Sequence, residues 1–124
     1  MAQTKRPIID TDIHHCTPNV KAIFDYLPRE YRDRISEWGL LLPNYPYMNG
    51  GQGGRRVDSR PPGGGPPGSD LDFMREQYLD LFQVKYGILT GEFYGVGCVP
   101  DVHYAAVLST AYNEYTKEHW LDRD

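Results

Sequence analysis

Residues 43–70 hold six of the chain's ten prolines and eight of its thirteen glycines. No helix or central strand runs through such a segment. Proline lacks an amide hydrogen, and glycine loses more backbone freedom on ordering than any other residue. The regular elements of this 124-residue chain must therefore lie on either side of it. A loop this long inside a compact domain is either functional or disordered. Its first half, Gly50-Gly-Gln-Gly-Gly-Arg-Arg56, lacks the Gly-Lys-Ser/Thr ending of a phosphate-binding loop and follows no predicted strand. Its second half, Pro61-Pro-Gly-Gly-Gly-Pro-Pro-Gly68, reads as a turn-rich connector, because glycine loosens the polyproline helix that aromatic-groove domains recognise.

Before the loop, Pro7 to His15 reads as a strand, with Ile8, Ile9, Thr11 and Ile13 favouring a pleated backbone. Thr17-Pro18 looks like the start of a helix carrying Val20, Ile23, Phe24 and Leu27. Pro28 opens a second short helix with the stripe Tyr31, Ile35 and Trp38, and Gly39 ends it. After the loop, Ser69 is the expected cap of a helix over 70–83, whose face is Leu71, Met74, Tyr78, Leu81 and Phe82. A short strand is predicted over 86–90. Asp101 caps a last helix over 101–121 that buries Ala105, Leu108, Tyr112 and Tyr115. Strands separated by helices imply a parallel sheet of βα units.

Several function classes are disfavoured by composition. The net charge of −4 gives no electrostatic attraction to nucleic acid. No apolar run approaches the ~18 residues of a membrane span, and the N-terminus lacks the apolar core of a signal peptide. The expected partner is a small molecule, not nucleic acid or membrane, and the expected compartment is the cytoplasm. Cys16 and Cys98 are too few for a disulfide scaffold, so both read as reduced, buried, inert thiols.

Ligand-type side chains are densest at Asp10, Asp12, His14 and His15. Alternate residues of a strand share a face, which puts Asp10, Asp12 and His14 together and Ile9, Thr11 and Ile13 opposite. Two carboxylates and an imidazole on one face are costly to bury without a partner. A divalent metal would neutralise them, and carboxylate oxygen with imidazole nitrogen suits zinc, manganese or iron. The same residues also suit a plainer role, with aspartates capping turns and histidines facing solvent. Arg55, Arg56 and Arg60 form a possible anion-binding group, or solvated loop arginines. Glu92 follows the second strand and is a weaker candidate. His103 and His119, sixteen residues apart, are not a helical ligand pair.

The stretch Ile9-Asp-Thr-Asp-Ile-His-His15 resembles the first-strand motif of the amidohydrolase-related, metal-dependent hydrolases, with Asp12 and His14 at the two ligand positions. Arg56 to Gly65, Val84 to Leu89 and Ala111 to Asp124 also look like this family, in the same order along the chain. The resemblance implies an α/β fold: the N-terminal portion of a (β/α)₈ barrel, about two βα units with a long Gly/Pro-rich loop after the first strand. A whole barrel needs about 200 residues or more, so the resemblance also implies a fragment. It further implies metal-assisted hydrolysis, or non-oxidative decarboxylation of carboxylate substrates. Zinc is the first choice of ion, and Arg55, Arg56 and Arg60 would face the substrate. Later ligands and the catalytic base would lie outside this chain, leaving it inactive alone. Two rival readings are a non-enzymatic α/β module that binds a partner through the Gly/Pro-rich loop, and a homo-oligomer in which two chains complete one metal site.

Overall fold

The computed structural model describes residues 6–42, 56–91 and 94–124. The first strand, β1, is Ile8–Ile13, and a 3₁₀ segment follows over Val20–Tyr26. Helix α1 spans Arg29–Trp38. Helix α2, Leu71–Met74, runs on into a π-helical turn over Arg75–Leu79. Strand β2 is Val84–Leu89. Helix α3, Val102–Thr116, likewise ends in a π-helical turn over Lys117–Leu121.

Local chemistry accounts for most of these boundaries. Asp101 caps α3, its Oδ1 accepting the Tyr104 amide at 3.0 Å. That bond, together with the Arg34 guanidinium, holds the Asp101 carboxyl below the usual carboxylate range. Helix α2 is capped by Asp70, which accepts from the Phe73 amide, and not by Ser69 as the spacing suggested. The 3₁₀ segment is capped by Asn19, whose Oδ1 accepts the Lys21 amide, and not by Thr17. Strand β2 starts two residues earlier than the sequence pattern placed it. The chain reverses at Gln83, which takes a left-handed conformation (φ 58°), and β2 begins at once.

The core is helix packed on helix. Tyr104 and Leu108 of α3 and Ile23 of the 3₁₀ segment are its largest fully buried side chains. Leu27, Ile35, Ala111, Tyr115 and Trp120 extend it. Tyr31 stacks on Tyr104, and the Arg34 guanidinium lies 4.5 Å above the same ring. Four expected packing positions fall outside: Trp38 is 72% exposed, and Tyr78, Leu81 and Phe82 are also exposed, so the apolar faces predicted for α1 and for the helix over 70–83 are narrower than expected. No helix among the described residues is long and apolar enough to cross a membrane.

The two strands pair in parallel, Ile8 opposite Val84 and Ile13 opposite Leu89. The register slips twice: one extra residue on β2 between Val84 and Tyr86, then one extra on β1 between Asp10 and Ile13. Only Ile13 is buried among the strand residues. Gly87 makes room for it, since a Cβ there would meet Ile13 Cδ1 at 2.3 Å.

This arrangement overturns the expected barrel portion. A barrel strand is covered by side-chain layers inside and by helices outside. Among the described residues the sheet has two strands, with Ile9, Tyr86 and Ile88 each more than half exposed. The largest buried side chains belong to helical segments. The described residues form a helical cluster bearing a small parallel sheet, not two successive barrel units.

The end of the Gly/Pro-rich segment is folded against β1. Gly68 O accepts the Cys16 amide at 2.8 Å, and the Cys16 thiol donates to Pro67 O at 3.3 Å. Gly68 has φ +83°, and a Cβ on it would sit 2.4 Å from His14 O. Replacing Gly68 by Ala should therefore cost about 2 kcal/mol or more. Gly63→Ala, which meets nothing within 4 Å and has no positive φ, should be close to neutral. Urea denaturation of the two variants measures the contrast.

A second tie joins the 3₁₀ segment to the last turn. Tyr26 Oη donates to Glu118 Oε2 at 2.6 Å, and His119 Nε2 lies 3.1 Å from the same hydroxyl. Partial burial, reinforced by Glu118, pushes the Tyr26 phenol up to about 12. Because folding raises this pKa, the neutral phenol is favoured in the folded state. Its contribution to stability is complete below pH 10 and is lost as pH rises through about 12. Ultraviolet titration should show one tyrosine ionising near 12, and Glu118→Gln should bring it down.

Candidate metal centre

The site grows from the C-terminal end of β1. There His14 Nε2 lies 3.0 Å from Asp12 Oδ1, and both side chains are exposed. Thr90, just past the end of β2, donates its hydroxyl to the same Asp12 oxygen at 3.0 Å. Its amide donates to Ile13 O at 2.9 Å, so the parallel pairing itself carries Thr90 to Asp12.

Asp10 supports this pair from one turn of the pleat away. Its Oδ1 accepts the Asp12 amide at 3.0 Å, and its Oδ2 accepts from Tyr78 Oη at 2.7 Å. These bonds, the Tyr78 one foremost, hold the Asp10 carboxyl below the usual range, and Tyr78 is raised in return. Asp10, Asp12 and His14 all line one groove of about 230 Å³ that runs between β1 and α2.

The adjacent histidines have opposite fates. His15 is 3% exposed, with Nε2 2.8 Å from Thr116 Oγ1. Its ring stacks on Tyr112 and meets Trp120 edge-on, while its carbonyl accepts from Tyr112 Oη at 3.0 Å. His15 therefore anchors β1 to α3, and His14 faces the groove.

The remaining candidates fall elsewhere. Arg55 and Glu92 lie outside the described residues. Arg56 forks onto Asp58, with Nε 2.9 Å from Oδ1, and that pair holds the Asp58 carboxyl below the usual range. Arg60 is half-buried. Among the described residues this segment contributes Ser59 to the groove wall, and neither Arg56 nor Arg60. His103 is exposed, and His119 belongs to the Tyr26 tie. Cys16 is buried, whereas Cys98 is exposed, against expectation for that thiol.

Two ligand atoms at 2.0–2.1 Å from a tetrahedral ion lie about 3.3 Å apart. The Asp12–His14 approach of 3.0 Å is close to that bite, so an ion would replace a shared proton with little movement. The donor types fit zinc. Among the described residues, no group of three His, Cys, Asp or Glu side chains is placed to hold an ion. The pair thus fits a metal as two of its ligands.

Sequence reasoning missed Tyr78, Thr90, Gln77 and Asp70 as members of this site. Tyr78 read as a packing residue. Thr90 had a usable signal, since it follows the second strand at the end where a parallel partner carries Asp12. No protein-family model matches the chain, and no curated protein is significantly similar to it.

Substitution separates the two histidines. His15→Ala removes a buried ring and its bond to Thr116, and should cost about 2–4 kcal/mol. His14→Ala, on an exposed side chain, should stay within about 0.5 kcal/mol. Chemical denaturation curves check both.

Proposed function

We propose that this chain supplies a metal-binding pair to a metal-dependent hydrolase akin to the amidohydrolase-related enzymes, with Asp12 and His14 as ligands and zinc as the favoured ion. The observation that carries the reading is the 3.0 Å approach of a carboxylate and an imidazole at the end of a parallel strand. The C-terminal ends of parallel strands are where α/β enzymes place their chemistry. A divalent metal there supplies Lewis-acid polarisation of a scissile bond and acidification of water.

The chain's own groups set the geometry of the pair. Thr90 fixes which Asp12 oxygen points at His14. Asp10 holds the Asp12 amide and is itself held by Tyr78, so the backbone that carries the ligand is braced from the π-helical turn after α2. His15 is locked in the core and thereby turns His14 outward. Such outer bonds commonly change metal affinity by about 10–100-fold. The groove beside the pair has room for part of a small-molecule substrate. A cytoplasmic setting suits two thiols that form no disulfide.

Remaining ligands and a general base would come from outside the described residues. The isolated chain is accordingly expected to bind zinc weakly and to turn over no substrate. Calorimetric titration with zinc should show one site per chain, weakened about tenfold or more by Asp12→Asn and by His14→Ala. Thr90→Val should weaken it less. Equal zinc affinity in wild type and both ligand variants would remove the proposal.

A further inference from the structure

A second space lies between the sheet and the two π-helical turns. Its apolar walls include Ile13, Leu71, Met74, Leu79, Leu89 and Trp120, and its volume is about 500 Å³. That size falls within the ~300–1,000 Å³ range of ligand pockets. Ile13, Leu71 and Trp120 are buried, so the floor of the cleft is fixed by folding. Met74 is unbranched and adapts to the shape of an occupant. Apolar walls of this kind gain by exchanging water for an alkyl chain.

Both π-helical turns among the described residues border this cleft. In the first, the Asp80 amide reaches back to Arg75 O at 2.9 Å, and in the second the Asp122 amide reaches back to Lys117 O at 2.8 Å. Arg75 and Leu79 come from the first turn, and Trp120 and Leu121 from the second. Single π-helical turns are rare and recur at functional sites. Two of them on one cleft point to a ligand independently of its volume.

Charge selects the head group. Arg75, Asp80, Lys85 and Asp124 line the cleft. Arg75 holds both acids, with Nε 3.7 Å from Asp80 Oδ2 and Nη1 3.0 Å from Asp124 Oδ1. Lys85 has no acidic partner among the described residues, and its ammonium lies 5.3 Å from the centre of the Tyr86 ring. Lys85 and Tyr86 are both exposed, which puts this ammonium at the mouth of the cleft and not at its floor.

We infer that the cleft binds an anionic amphiphile, with one alkyl chain against the apolar floor and its carboxylate at Lys85. Neither Asp12 nor His14 lines this cleft, although Ile13 and Met74 border both spaces. The inference does not rest on the metal pair.

Octanoate and octylammonium, with apolar chains of similar length and opposite charge, test this. Each is titrated into the ¹⁵N-labelled chain without zinc, below its micelle concentration, and followed by the amides of Leu79, Tyr86, Gly87 and Leu121. Both probes should give saturable shifts. Octanoate should bind about threefold more tightly or better at low salt, and the preference should shrink as salt is raised. Lys85→Gln should erase the preference and leave the denaturation midpoint unchanged, because the side chain is exposed. Leu121→Asp, at a residue 59% exposed, should weaken both probes several-fold. Octylammonium binding as tightly as octanoate, a preference that survives Lys85→Gln, undiminished binding to Leu121→Asp, or no saturable shift at these amides overturns the inference. So does a dimer in sedimentation that shields the same amides, which would give the cleft to a second copy of the chain. The zinc titration is read separately, and its failure leaves this result untouched.

Discussion

Four consecutive residues at the end of β1 hold the structure together. A backbone leaving a strand must find new partners for its amide and carbonyl groups. Here three of these groups are paired by distant segments. Ile13 O accepts from Thr90, His15 O from Tyr112, and the Cys16 amide donates to Gly68. The end of β2, the middle of α3 and the end of the Gly/Pro-rich segment therefore meet at one point. Two of these bonds need a special residue. A Cβ on Gly68 would meet His14 O, so this approach needs glycine, and the long Tyr112 side chain carries a hydroxyl from α3 to His15 O.

The candidate site is a by-product of that junction. Burying the His15 ring against Tyr112 and Trp120 fixes the rotation of the chain, and His14 then faces the opposite way. Thr90 is brought to Asp12 because its own amide closes the parallel ladder. Tyr78 reaches Asp10 from the π-helical turn that continues α2. The polar groups of the groove are thus placed by elements that fold for apolar reasons.

The sequence made some of this readable. The Asp-x-His spacing placed Asp12 and His14 together, because a period of two is fixed by the strand backbone. Asp101 was recognisable as a cap because an aspartate following Pro100 begins a long apolar-striped helix. Other features depend on contacts that no local pattern encodes. Nothing around His15 distinguishes it from His14 until Thr116 and Trp120 fold over it, about a hundred residues away. Trp38 fits the α1 stripe by spacing, but Ile35 is the residue of that stripe that reaches the core, while Trp38 is exposed. The two register slips are invisible in the sequence, since both strands read as unbroken. The barrel expectation rests on the likeness of four separate stretches, and such motifs fix local structure without fixing the architecture that surrounds it.

The anchoring of His15 has a consequence for ligand capture. Surface sites commonly lie on segments that open locally, at small cost, without the rest of the molecule unfolding. Asp12 and His14 are exposed, yet the backbone on which they stand is tied to α3, to β2 and to the Gly/Pro-rich segment. It cannot fray without breaking the helical core. An ion at the proposed pair would meet a backbone already ordered by folding, so the number of donors would limit its affinity more than the motion of the strand end.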